Sequence, residues 1–138
     1  MINILLEGFD IDAPWLYGEL KNYIKPNHSV AVVAFSFRDN RVKSLSDWDA
    51  LYGKVNGKYH DGIVGGFTAY GIPADKITFI NYFTDTKETA AQKIKAADII
   101  YFLGGLPDRM MDRIKEFDWY DVLMQHDGIL MGYSGGAV

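Results

Sequence analysis

The sequence contains no cysteine at all. Disulfides and thiolate chemistry are thereby excluded, and a reducing compartment such as the cytoplasm is the expected setting. Histidine is scarce: His28, His60 and His126 are the three present, and they form no cluster with metal-ligand spacing. No metal or other cofactor is therefore expected. Basic runs are missing too. "RDNRVK" is the densest, in a chain of net charge −4, so a surface that tracks nucleic-acid phosphates is not expected. No apolar stretch approaches the roughly 20 residues that span a bilayer, so no membrane partner is expected. The opening "MINILLEGFD" has neither a positive segment nor a small-residue cleavage site, so no signal peptide is expected.

What remains is a 138-residue chain, 49% apolar and 23% charged, the composition of one globular domain with a real core. Apolar runs alternate with helical patterns. "INILL" (2–6) reads as a buried strand, followed by helical spacing of Trp15, Leu16, Leu20, Tyr23 and Ile24 up to Pro26. "SVAVVAF" (29–35) is continuously apolar and β-branched, as in strands covered on both faces. One long helical stripe then runs from Trp48 through Tyr52, Tyr59, Ile63 and Phe67 to Tyr70. Its interior glycines predict a bend or break, and the stripe itself reads as core rather than as a ligand platform. "KITFI" (76–80) is a third strand. Asp85 and Glu88 read as a capping box for a helix to about Ala97. "DIIYFL" (98–103), a helix from Pro107, a short helix over 119–125 and "GILMGY" (128–133) complete the pattern.

Strands alternating with helices predict a doubly wound α/β domain over 1–138, with a mainly parallel sheet and helices on both faces. Ligands bind such sheets at the carboxyl ends of the strands. That edge collects Glu7, the segment from Ser36 to Arg41, the segment from Asn81 to Asp85, Gly104-Gly105 and Ser134.

Gly132-Tyr133-Ser134-Gly135-Gly136 matches G-x-S-x-G straight after a strand. Such an elbow exposes a serine nucleophile and aims the next amide, Gly135, at a developing oxyanion. The plain alternative is a glycine-rich turn with Ser134 as a helix N-cap. Gly104-Gly105, ending the preceding strand, supplies a second glycine turn on the same edge. Arg38 reads either as a partner for a substrate carboxylate or as a solvated loop arginine.

A strand ending in Gly-Gly, then a helix, then a strand leading into "GYSGGA" resembles the peptidase E family. These serine peptidases have the class I glutamine amidotransferase-like fold and include aspartyl dipeptidase and cyanophycinase. The resemblance implies Ser134 as nucleophile and the amides of Gly105 and Gly135 as oxyanion hole. It also implies a histidine and an acidic partner later in the chain than the nucleophile. Two positions differ from the family pattern: Gly135 replaces the usual alanine, and Leu106-Pro107 follows the Gly-Gly pair where a polar residue is common.

None of the three histidines is expected to act as base. His28 and His126 precede strands whose far ends carry the site, about 20 Å away for a six-residue strand. His60 is expected in mid-helix, at the surface or an interface. The chain is accordingly expected to be the N-terminal part of a larger peptidase E-like domain, inactive alone. Its base, acid and further strands would then lie beyond Val138, and it would pair with them or with itself. The competing readings are a non-catalytic binding module of the same fold and an α/β-hydrolase esterase. The esterase is disfavoured because no HGGG-type loop is present.

Overall fold

The computed structural model describes residues 2–6, 8 and 10–133. Five parallel strands form one sheet in the order β1-β5-β4-β2-β3. They are β1 (Ile2–Leu6), β2 (Val30–Val33), β3 (Ile77–Ile80), β4 (Ile99–Phe102) and β5 (Ile129–Tyr133). The expected strands are thus all present, each starting one residue late or ending one or two early, except β1, which keeps its predicted bounds. The fold class is the doubly wound α/β sheet that the alternating pattern predicts.

Side-chain alternation along the strands divides the core in two. Val30, Val32, Ile99, Tyr101, Ile129 and Met131 face one layer, shared with Leu20, Trp48, Tyr52, Ile63 and Phe67. These come from α1 (Pro14–Leu20), α2 (Leu45–Tyr52) and α3 (His60–Thr68). Ala31, Val33, Ile80 and Ile100 face the other layer, with Ala90, Ile94, Met110, Ile114 and Phe117. Those belong to α4 (Lys87–Ala96) and α5 (Pro107–Phe117), beyond which lies the short α6 (Tyr120–Met124). All four residues of β2 are buried, as expected of a strand covered on both sides.

The order of the strands explains which helix lies where. From β1 to β2 to β3 the chain moves toward one edge of the sheet, and from β3 to β4 to β5 it moves back. Right-handed crossovers in opposite directions put their helices on opposite faces. The connections leaving β2 and β4 therefore diverge, although β2 and β4 are hydrogen-bonded neighbours. A crevice opens between them at their carboxyl ends, the topological switch point where such sheets bind ligands.

One local expectation is met and two are revised. The stripe from Trp48 to Tyr70 does break, into α2 and α3, with α2 ending at Gly53. The helix after β3 is capped by Thr86, whose hydroxyl accepts from Thr89 N at 3.1 Å while Thr89 Oγ1 accepts from Thr86 N at 2.8 Å. Asp85 and Glu88 therefore do not form the box. Both Asp85 oxygens are committed elsewhere: Asn81 N (2.8 Å) and Lys93 Nζ (2.7 Å) donate to one, Thr89 Oγ1 (2.9 Å) to the other. A tertiary ion pair from Lys93 drew Asp85 away from the cap, and the next residue with a hydroxyl took over. His60 starts α3 instead of lying within it. Its ring stacks on Phe79 (centroids 4.8 Å apart) and its Nδ1 is 2.8 Å from the Tyr52 carbonyl, so it is a half-buried packing residue.

Candidate active site at the switch point

The loop after β2 and the turn after β4 are fastened together. Ser36, buried at 3% exposure, donates its hydroxyl to the Leu103 carbonyl at 2.6 Å. Its own carbonyl accepts from Leu106 N at 2.9 Å. The two bonds bracket Gly104-Gly105. Gly105 has φ +144°, and a Cβ there would lie 2.4 Å from the Ser36 carbonyl oxygen. No side chain fits that approach, and the backbone angle lies where residues other than glycine are strained. The amide of Gly105 finds no acceptor among the described residues, whereas the next amide, Leu106, is bonded.

Gly104 is needed for a different contact. A Cβ on it would meet Tyr133 Cε2 at 2.6 Å and the Tyr133 carbonyl at 3.1 Å. Phe102 lies in register with Gly132 on the adjacent strand. The Gly-Gly turn of β4 and the last described residues of β5 are thus in direct contact. Ser134, Gly135 and Glu7 lie outside the described residues.

A cavity of about 600 Å³ opens over this edge. Ser36, Arg38, Arg41, Lys58, Tyr52, Tyr59, Gly104, Gly105 and Tyr133 are among its walls, with Phe37, Leu51, Ile63 and Leu103 supplying apolar surface. Among the described residues three cationic side chains line it, and no carboxylate does. Arg38, the residue singled out from the sequence, is an exposed part of that wall, and Arg41 joins it. Asp39 is turned to other partners: Arg113 Nη2 donates to Oδ1 at 2.5 Å, and Arg109 lies 3.3 Å from Oδ2.

Two phenols of this wall, Tyr52 and Tyr133, are raised above the ordinary phenol value. Tyr52 is pushed up to about 12, by burial first and by the neighbouring Tyr133 and Tyr59, with Arg113 pulling the other way. Burial also raises Tyr133, against a hydrogen bond from the Gly104 amide that favours the phenolate. Neutral phenols both donate and accept, which suits them to carbonyls and amides of a bound ligand.

Sequence reasoning missed part of this wall. Tyr52, Tyr59 and Ile63 belong to the stripe that reads as core, yet each also faces the cavity. The signal was available in Lys58-Tyr59, a charged and aromatic pair at the break of the stripe. None of the histidines lines the cavity. His126 accompanies the amino end of β5, with Nε2 2.8 Å from the Ala97 carbonyl, and His28 lies before β2, where Nδ1 accepts from Lys25 N at 3.1 Å. Among the described residues no group of three or more His, Asp or Glu could hold a metal ion. No helix among them is long and apolar enough to cross a membrane.

No protein-family profile matches the sequence, and no curated protein matches it. Among solved structures, the chain is similar to a protein from Listeria monocytogenes EGD-e provisionally named as a peptidase E, at 16% identity and a TM-score of 0.71. The match covers 99% of this chain and 59% of that one, so the chain spans about three-fifths of the length of that structure. The fold of this chain, an all-parallel five-stranded α/β sheet, is therefore peptidase E-like.

Proposed function

We propose that the cavity at the β2–β4 switch point is the active site of a serine peptidase that hydrolyses short peptides through an acyl-enzyme on Ser134. The observation that carries the reading is Gly105: its amide is unclaimed by any described acceptor, it borders the cavity, and the turn around it excludes any side chain. An amide held in that way is an oxyanion donor. Contact between Gly104 and Tyr133, the residue before Ser134, supports a serine beside that donor. Ser134 Oγ would attack the scissile carbonyl carbon, and the amides of Gly105 and Gly135 would stabilise the oxygen as it gains charge. Collapse expels the amine, which takes up the proton removed from the serine, and water then releases the acid. Arg38, with Arg41 beside it, would hold a carboxylate of the substrate.

Serine needs a base. His28 and His126 lie at the amino ends of strands and His60 stacks on Phe79, so none of the three histidines is placed to serve as that base. The same placement favours the second reading, a non-catalytic module that binds short acidic peptides in this cavity. Hydrolysis of short peptides, wild type against Ser134→Ala, decides between them. A loss of about 10³-fold or more in kcat supports the peptidase. Binding without turnover supports the module, and turnover that survives Ser134→Ala overturns the role of Ser134.

A further inference from the structure

Helix α5 turns a charge into the core. Arg113 is 4% exposed and sits between Met110, Ile114 and Phe117 on the apolar stripe. A buried guanidinium persists only where its donors are used. Here Nη1 donates to the Phe35 carbonyl at 2.6 Å and the Phe37 carbonyl at 2.8 Å, and Nη2 donates to Asp39 at 2.5 Å. The guanidinium also lies over the Phe37 ring, 3.7 Å from its centroid, a cation–π arrangement.

These four contacts fall within one short segment, residues 35–39, the loop that leaves β2. That segment holds Ser36, whose two bonds bracket Gly105, and Arg38, whose carbonyl accepts from Arg41 N and Val42 N at 3.1 and 3.0 Å. Methionine or leucine would fill the same space in the core. Only a planar, multiply donating cation can grip two carbonyls and a carboxylate of one loop at once. The helix that carries Arg113 begins at Pro107, two residues beyond Gly105. One rigid element thus connects the candidate oxyanion turn to the cationic wall.

We propose that Arg113 is a positioning residue: it clamps the loop after β2 against the Gly105 turn, so that Arg38 and Arg41 face a bound anion at a fixed distance from the oxyanion amide. The inference deepens the proposed function and rests on the cavity binding a carboxylate. Arg113 itself does not line the cavity.

The test uses succinate as probe and three proteins: wild type, Arg113→Met and Arg113→Lys. Titration calorimetry reads the Kd, and amide hydrogen exchange reads the loop. Arg113→Met is expected to raise the succinate Kd at least tenfold. It should speed exchange at Leu106 and Val42 at least tenfold, while Val32 and Ile100 in the sheet stay within threefold. Arg113→Lys, which keeps the charge without the fork, should fall between. Unchanged Kd and unchanged loop exchange overturn the proposal. Equal acceleration in loop and sheet also overturns it, because that marks a general loss of stability. If wild type binds no succinate, the carboxylate reading of the cavity fails, and the exchange data alone decide the clamp. Should Arg113→Met not fold, Asp39→Ala removes one acceptor and leaves the carbonyls bonded. Exchange at Leu106 and Val42 should then rise about threefold, and no change overturns the clamp.

Discussion

Replacing Gly105 with alanine should damage both the stability of the fold and the proposed chemistry. The new Cβ would start 2.4 Å from the Ser36 carbonyl oxygen and 2.9 Å from Ser36 Cβ, where contacts under 3.0 Å are essentially never seen. The turn must therefore open by at least the difference to the oxygen. Ser36 cannot simply recede, because its hydroxyl and carbonyl are bonded to Leu103 and Leu106 at 2.6 and 2.9 Å. Its flanking residues Phe35 and Phe37 are held by Arg113 as well. Backbone at φ +144° adds strain of about 1–3 kcal/mol for a residue with a side chain, and a buried hydrogen bond lost in the adjustment costs about as much again. The expected destabilisation is about 2–6 kcal/mol, which at an m-value of about 2 kcal/mol/M moves a urea midpoint by about 1–3 M. Displacing the Gly105 amide should in addition lower kcat by about 10²–10³-fold, the usual cost of one oxyanion donor, with a smaller effect on KM. Urea unfolding followed by tryptophan fluorescence measures the first quantity, and peptide hydrolysis measures the second. A Gly105→Ala protein with the wild-type midpoint and wild-type kcat would refute the claim that this turn is built around a missing side chain.

Gly65 is the control, since a Cβ there meets nothing within 4 Å inside α3. Gly65→Ala should stabilise the protein by about 0.5–1 kcal/mol, read from the same urea curve. Arg38→Ala should raise KM, or Kd for a non-hydrolysed ligand, more for acidic than for neutral short peptides; equal effects would reduce Arg38 to a solvated loop residue. Stability should fall above pH 10. Tyr52, Tyr70 and Tyr82 are pushed up to about 12 in the fold, so the unfolded chain loses these protons first and is stabilised relative to the native state as pH rises. For Tyr52 the slope is about 1.4 kcal/mol per pH unit between 10 and 12, and phenolate absorbance that rises fully by pH 11 in a still-folded protein would contradict it.

The parts of this protein legible in its sequence are those decided by local chemistry. β2 is continuous and β-branched, and its burial on both faces follows from that alone. The break between α2 and α3 follows from glycines in a helical stripe. Gly104-Gly105 could be picked out because it ends a strand on the edge that also carries the serine motif, and the close approach of Ser36 is why glycine is required at 105. Where two residues of similar chemistry compete, the local rule loses resolution. Asp85 and Thr86 are both good caps, and Lys93, eight residues beyond Asp85, settled which would serve. Arg113 shows the opposite limit. By spacing it belongs to a buried stripe and by type to the surface, and neither signal names its partners, which lie 74 to 78 residues earlier in the chain. Strand order is equally silent in the sequence, because every strand is apolar enough to take a central place. Yet the order decides the site. Only because β2 and β4 became neighbours, with their helices leaving on opposite faces, do the Ser36 loop and the Gly105 turn share one crevice. A sequence can thus supply a turn that excludes side chains and an arginine that needs acceptors. Their meeting is a property of the topology, and in this protein the hydrogen bonds of Ser36 and the grip of Arg113 are what that topology brings together.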